Sequence, residues 1–150
     1  MHTIANELEE ITVLYTKLLQ KINEEEFIAK PLPDKWSKKE ILGHTIDSAQ
    51  NNIRRFVVAQ YEDKPHIVYA QNSWVDAANY QQYDLNDLIM LWSLLNKHIC
   101  VLLKNIPAGK AEKLCDTGAL HTVKWIAADY IKHLKHHLHQ VLDLEPVAYP

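Results

Sequence analysis

Four of the chain's nine histidines, His133, His136, His137 and His139, fall within seven residues of the segment Asp129 to Gln140. Leucine and isoleucine recur there at helical spacing. His133 and His137 are four apart, so on a helix they stand one turn above the other with Cβ atoms about 6 Å apart, and both imidazoles can reach one metal ion. One helix thus offers two ligands but not a closed site. The Glu that directly follows the first histidine in zincin metalloproteases is missing, since Leu134 stands there.

A helical projection divides the cluster. Val123, Ile126, Ala127, Tyr130, Ile131, Leu134, Leu138 and Val141 form one apolar arc. His137 falls within it and His133 at its edge. His136 and His139 fall on the opposite side with Lys132 and Lys135, which predicts a solvated face for that pair. A third ligand must come from elsewhere, and His44, Asp47, His98 and His121 are candidates. His44 projects away from the apolar arc of its own helix (Leu42, Thr45, Ala49, Ile53, Phe56), on a stripe with Ser48, Asn51 and Arg55. Periodicity leaves open whether that stripe lines a polar cleft or faces water.

The elements that must position these residues are four long helical stretches. Apolar residues at three- and four-residue steps predict the first from about Thr3 to Ile22. Pro31-Leu32-Pro33-Asp34 breaks the pattern, because proline lacks a backbone donor and disfavours helix in the residue before it. Ser37-Lys38-Lys39-Glu40 is a capping box that opens the second helix, which runs to about Gln60. A long connection from Tyr61 to Tyr83 follows, with a short helix near Ser73 to Asn79. Asp84 caps a third helix from Leu85 to about Lys104. Pro107, Gly109 and Gly118 mark an irregular link, and Thr122 caps a fourth helix from Val123 to about Leu142. Without sustained alternation of period two, the expected architecture is an all-α four-helix bundle. Its long connections between helices two and three and between three and four are expected to cover an end of the bundle or shape a pocket.

At 150 residues the chain is expected to form a single domain, residues 1–150, with one core. Its 47% hydrophobic and 23% charged content is that of a folded protein rather than a disordered one. A net charge of -3, from 16 basic and 19 acidic residues, argues against binding a nucleic-acid backbone. The start of the chain lacks a basic segment followed by an apolar run, and no apolar stretch approaches the ~20 residues that span a bilayer. A cytoplasmic location without membrane contact is therefore expected. Cys100 and Cys115 are neither a metal-type pair nor a disulfide framework, and are read as free packing residues.

The run Lys35-Trp36-Ser37-Lys38-Lys39-Glu40-Ile41-Leu42-Gly43-His44-Thr45-Ile46-Asp47-Ser48-Ala49 resembles the second-helix signature of the DinB/YfiT-like superfamily. The family's C-terminal pattern, a histidine, a second four positions on and a glutamine three beyond, is matched by His133, His137 and Gln140. Asn51, Asn52, Arg55, Phe56 and Ser73-Trp74 resemble its YfiT-type branch. The resemblance implies a four-helix bundle of family topology in which His44, His133 and His137 bind a divalent metal. Three imidazoles leave coordination positions open, as catalytic sites do, and nickel and zinc both accept them. The resemblance further implies a small-molecule substrate, attacked by metal-activated water in hydrolysis or by a low-molecular-weight thiol cosubstrate in S-transfer, and a homodimer. The competing reading is a non-catalytic bundle that binds metal or a protein partner through a vestigial or regulatory site. Asp47, one turn after His44, is a candidate to orient a ligand or metal-bound water. Asn51, Tyr69 and Trp74 are candidate pocket walls, and Trp36 is expected to pack at the helix entrance.

Overall fold

The capping residues set where the helices begin in the computed structural model, which describes residues 1–149. The long helices are α1 (His2–Leu19), α3 (Lys38–Val58), α5 (Leu85–Asn105) and α7 (Val123–Val141), with short helices α2 (Glu24–Ile28), α4 (Gln71–Ala78) and α6 (Ala108–Ala111) between them. At α3 the Ser37 hydroxyl accepts from Glu40 N at 3.2 Å and the Glu40 carboxylate accepts from Ser37 N at 2.7 Å. Asp84 accepts from Asp87 N, and Thr122 from Trp125 N. Each satisfies a donor that the first helical turn leaves orphaned.

The first helix stops at Leu19, short of the expected Ile22. Lys21 and Ile22 turn back on Leu18 and Leu19, and Asn23 then caps α2 with a bond from Glu25 N. Ile22 still packs against the core, but from a turn. Periodicity alone reads such a residue as one more helical step.

Around the bundle α1 packs on α5, α5 on α3, α3 on α7 and α7 on α1. Consecutive long helices α1 and α3 therefore lie across one diagonal, and α5 and α7 across the other. Up-down bundles join neighbours by short loops; a diagonal step needs a longer connection, and residues 20–37 and 106–122 supply the two. The second of these, expected to be irregular, contains an antiparallel hairpin. Here β1 (Leu114–Asp116) pairs with β2 (Leu120–Thr122), Cys115 opposite His121. Strands of three residues are too short to show alternation, and Gly118 at φ +105° makes the turn. Ile67 N and Asp116 N bond to Asp116 O and Pro65 O, which ties the connection between α3 and α5 to the hairpin.

Helix α3 is covered on several sides. It packs on α5, α7, α2, α4 and the 3₁₀ turn Tyr80–Gln82, and every residue from Leu42 to Ala49 is buried. Gly43 makes one of these contacts possible, since a Cβ there would lie 2.1 Å from the Tyr80 ring. Below α3 the core is filled by Trp92, Leu88, Ile99 and Leu103 of α5, Leu8 and Leu19 of α1, and Leu134 and Leu138 of α7. Among the described residues no helix is long and apolar enough to cross a membrane.

Candidate metal centre

Two helices meet at the histidines. His44 points from α3 toward His133 of α7, with Nε2 3.1 Å from Nε2, and the His137 ring centroid lies 4.9 Å from that of His44 and 4.5 Å from that of His133. One ring nitrogen from each of the three lies within 4.8 Å of the others. His44 is 1% exposed although it lies off the apolar arc of its helix. A projection assumes one buried face, whereas α3 is enclosed all round at this level. His98 is exposed on α5 and His121 stacks on Trp125 at 3.7 Å, so neither other candidate histidine joins the group.

The hydrogen bonds around α7 set the tautomers of three histidines, one of them in the group. A carbonyl can only accept, so His136 Nδ1–H donates to Val147 O at 2.6 Å. His136 Nε2 must then accept from Gln140 Nε2 at 2.9 Å, which turns the Gln140 carbonyl toward His137 Nδ1 at 2.8 Å. His137 Nδ1 therefore carries the proton, and its Nε2 presents a lone pair. His139 likewise donates from Nδ1 to Glu145 O at 2.6 Å and accepts from the Tyr15 hydroxyl at 2.8 Å. The pair expected on a solvated face instead holds the segment after α7 against the bundle. Backbone acceptors in an irregular tail leave no mark in periodicity.

Burial is the main cause that holds all three imidazoles neutral. It pushes His44 down to about 4, helped by His137, and His133 to about 2, helped by His137 and His44. Burial also lowers His137, partly opposed by its bond to Gln140. Neutral imidazole is the ligating form. A divalent cation fits this donor set: two Nε2 atoms 3.1 Å apart share at most one proton between them, and a cation engages both lone pairs without any. Among the described residues no carboxylate belongs to the group, so an ion held by the three imidazoles alone would keep its full double charge.

Two openings flank the histidines. His137 borders an open cleft of about 660 Å³ with Trp36, Ile41, Lys35 and Asp76 among its walls. His133 borders a smaller, more enclosed cavity of about 130 Å³. Trp36 packs on His44 with ring centroids 5.1 Å apart, at the entrance of α3.

The other candidates are distributed differently. Asp47 is buried and accepts from the Tyr80 hydroxyl at 2.5 Å, while its Oδ2 has no partner among the described residues; it bonds to none of the three histidines. Burial raises its carboxyl to about 6, with the Tyr80 bond opposing. Asn51 spends its amide on Asp47 O, one turn back, and lines neither opening. Its neighbour Asn52 lines the smaller cavity, together with Ser48, Arg55 and Tyr69. Trp74 meets Tyr69 edge-on at 5.6 Å but lines a separate recess beside Asp47 and Tyr80. Asp129 and Tyr149, also in the smaller cavity, carry no sequence signal, because the tail that brings Tyr149 back is fixed by tertiary contacts.

The sequence profile of the DinB superfamily matches residues 7–141. A relative from Oceanobacillus iheyensis named "Putative metal-dependent hydrolase" is 25% identical over 143 residues, 93% of this chain and 82% of its own length. Among solved structures the chain is similar to YfiT from Bacillus subtilis, described as "a probable metal-dependent hydrolase with an unusual four-helix bundle topology". The TM-score is 0.84 at 17% identity, over 94% of this chain and 83% of that one.

Proposed function

The chain belongs to the DinB superfamily, and from that premise we propose that it is a metal-dependent enzyme acting on a small molecule, with His44, His133 and His137 holding a divalent ion. The observation that carries the reading is the convergence of three neutral imidazoles, one nitrogen from each within 4.8 Å of the others, beside an open cleft. The name of the O. iheyensis relative agrees with it. An ion held there supplies Lewis acidity and lowers the pKa of a water or thiol drawn to it.

The chain's own residues do the rest. Gln140 keeps the His137 proton on Nδ1 and its Nε2 free. Trp36 and Ile41 give the cleft an apolar wall, and Lys35 and Asp76 give it charge. Cys100 and Cys115 are free but buried outside the histidine group, so a thiol nucleophile would have to arrive as a cosubstrate. Nickel and zinc both suit imidazole donors, and water and thiol both suit the centre.

Zinc- and nickel-loaded protein assayed with low-molecular-weight thiols and electrophilic acceptors, in parallel with ester and amide substrates, tests the proposal. Turnover in either set that disappears in His133→Ala and His137→Ala supports it. Metal loss in those variants with turnover unchanged would sink it in favour of a bundle that binds metal without catalysis.

A further inference from the structure

We infer that the 130 Å³ cavity beside His133 is a receptor for an α-amino-acid head group, in which Arg55 takes the carboxylate and Asp129 the ammonium. The two side chains come from facing helices, α3 and α7, and line one polar volume with Ser48, Tyr69 and Tyr149. They do not form an ion pair: among the described residues no carboxylate lies within 4.0 Å of Arg55. Each is held by a neutral group instead. Arg55 Nε and Nη2 donate to Ile67 O at 3.1 and 2.9 Å, and Asp129 Oδ2 accepts from the Tyr149 hydroxyl at 2.8 Å.

Partly buried charges are ordinarily paired, because desolvation costs more than a neutral hydrogen bond returns. Here both charges are oriented and kept apart. Nη1 has only a long bond to Asn52 Oδ1 at 3.4 Å, and hydrogens on Nη1 and Nη2 remain to donate. Asp129 Oδ1 has no protein partner among the described residues. A simple anion placed between them would face Asp129, and a simple cation would face Arg55. A ligand carrying both charges satisfies both walls.

The volume agrees with a head group rather than a whole ligand, since sites for larger molecules run to roughly 300–1,000 Å³. The remainder of the molecule would leave through the cavity mouth. His133 forms part of the wall and also belongs to the three-imidazole centre. That the amino acid is the head of a substrate rests on the function proposed above; its binding does not.

The test follows the Arg55 Nε–H resonance of the full-length, metal-free protein by NMR during titration with glycine, acetate and methylammonium at constant ionic strength. Glycine is expected to give a saturable shift, with acetate and methylammonium at least about tenfold weaker, the equivalent of one lost charge-assisted hydrogen bond. Asp129→Asn keeps an acceptor for Tyr149 and should abolish the preference for glycine over acetate. It leaves the Ile67 carbonyl contacts of Arg55 intact, so the resonance that reports binding is kept in the variant. No saturable shift with glycine, an equal response to acetate, or an unchanged preference in Asp129→Asn would each overturn the inference. A parallel zinc titration separates the two ideas: zinc uptake without glycine binding rejects the receptor and leaves the metal centre standing, and glycine binding without zinc uptake does the reverse.

Discussion

Oε1 of Gln140 lies 2.8 Å from Nδ1 of His137, one turn earlier on the same helix, and the Gln140 amide is oriented by His136. An amide that locks the tautomer of a ligand raises its affinity for the ion, and removing such a partner usually costs about 10–100-fold. Gln140→Leu is therefore expected to weaken zinc binding by about that factor in a chelator competition, with the midpoint of thermal unfolding of the metal-free protein little changed. Unchanged affinity would mean that the bond does not tune the centre.

His136→Ala should act in the same direction and more weakly. It frees the Gln140 amide to turn, but leaves Gln140 Oε1 able to accept from His137. Chelator competition on the two single variants and the double variant checks this: because one path carries the effect, the double variant should lose no more than Gln140→Leu alone. Losses that simply add would separate the two side chains.

Gly43 and Gly109 should respond oppositely to alanine. A Cβ at Gly43 meets the Tyr80 ring at 2.1 Å, so the 3₁₀ turn must shift, at a cost of about 1–3 kcal/mol in urea unfolding. Gly109, in α6, has nothing within 4 Å of an added Cβ, and its replacement is expected to be neutral or to stabilise by up to about 1 kcal/mol. Equal effects at the two positions would contradict the packing described for Tyr80.

Asp47 is expected to lower stability at neutral pH. Its folded carboxyl, raised to about 6 by burial, lies above the ordinary 3.8, so between those values the folded chain holds a proton that the unfolded chain has released. The stability this group contributes is full below about pH 4 and lost as pH rises to 6, a change on the order of 3 kcal/mol. Asp47→Asn should thus be more stable than the wild type at pH 7, with the advantage fading toward pH 4. A variant that is less stable at pH 7 would mean that the charged carboxylate is compensated by a group other than Tyr80.

The fold was largely legible because its signals are local. Ser37, Asp84 and Thr122 each accept a bond from the first turn of a long helix, and caps with apolar periodicity are written in adjacent residues. The site was legible in pieces. His133 and His137 are neighbours on one helix, so their spacing brought them together. His44 is 89 residues from His133 and off its own apolar arc; only the family resemblance joined it, because burial of α3 comes from α2, α4 and the 3₁₀ turn as well as from the bundle. Asn51 and Asn52 show the limit of a projection at single-residue resolution: the first turns to its own backbone and the second lines the cavity. Tyr149 and Asp129 meet through a tail whose path depends on His136 and His139, and nothing in the tail's own sequence encodes that path.

Metal content of protein purified without chelator or nickel resin, compared with His44→Ala and with His98→Ala as an exposed control, tests the centre most directly. Close to one divalent ion is expected per wild-type and His98→Ala chain, or uptake to that level on titration with zinc or nickel, and loss of it in His44→Ala. A wild-type chain that neither carries nor takes up an ion, or a His44→Ala variant that binds as the wild type does, would contradict the three-histidine centre.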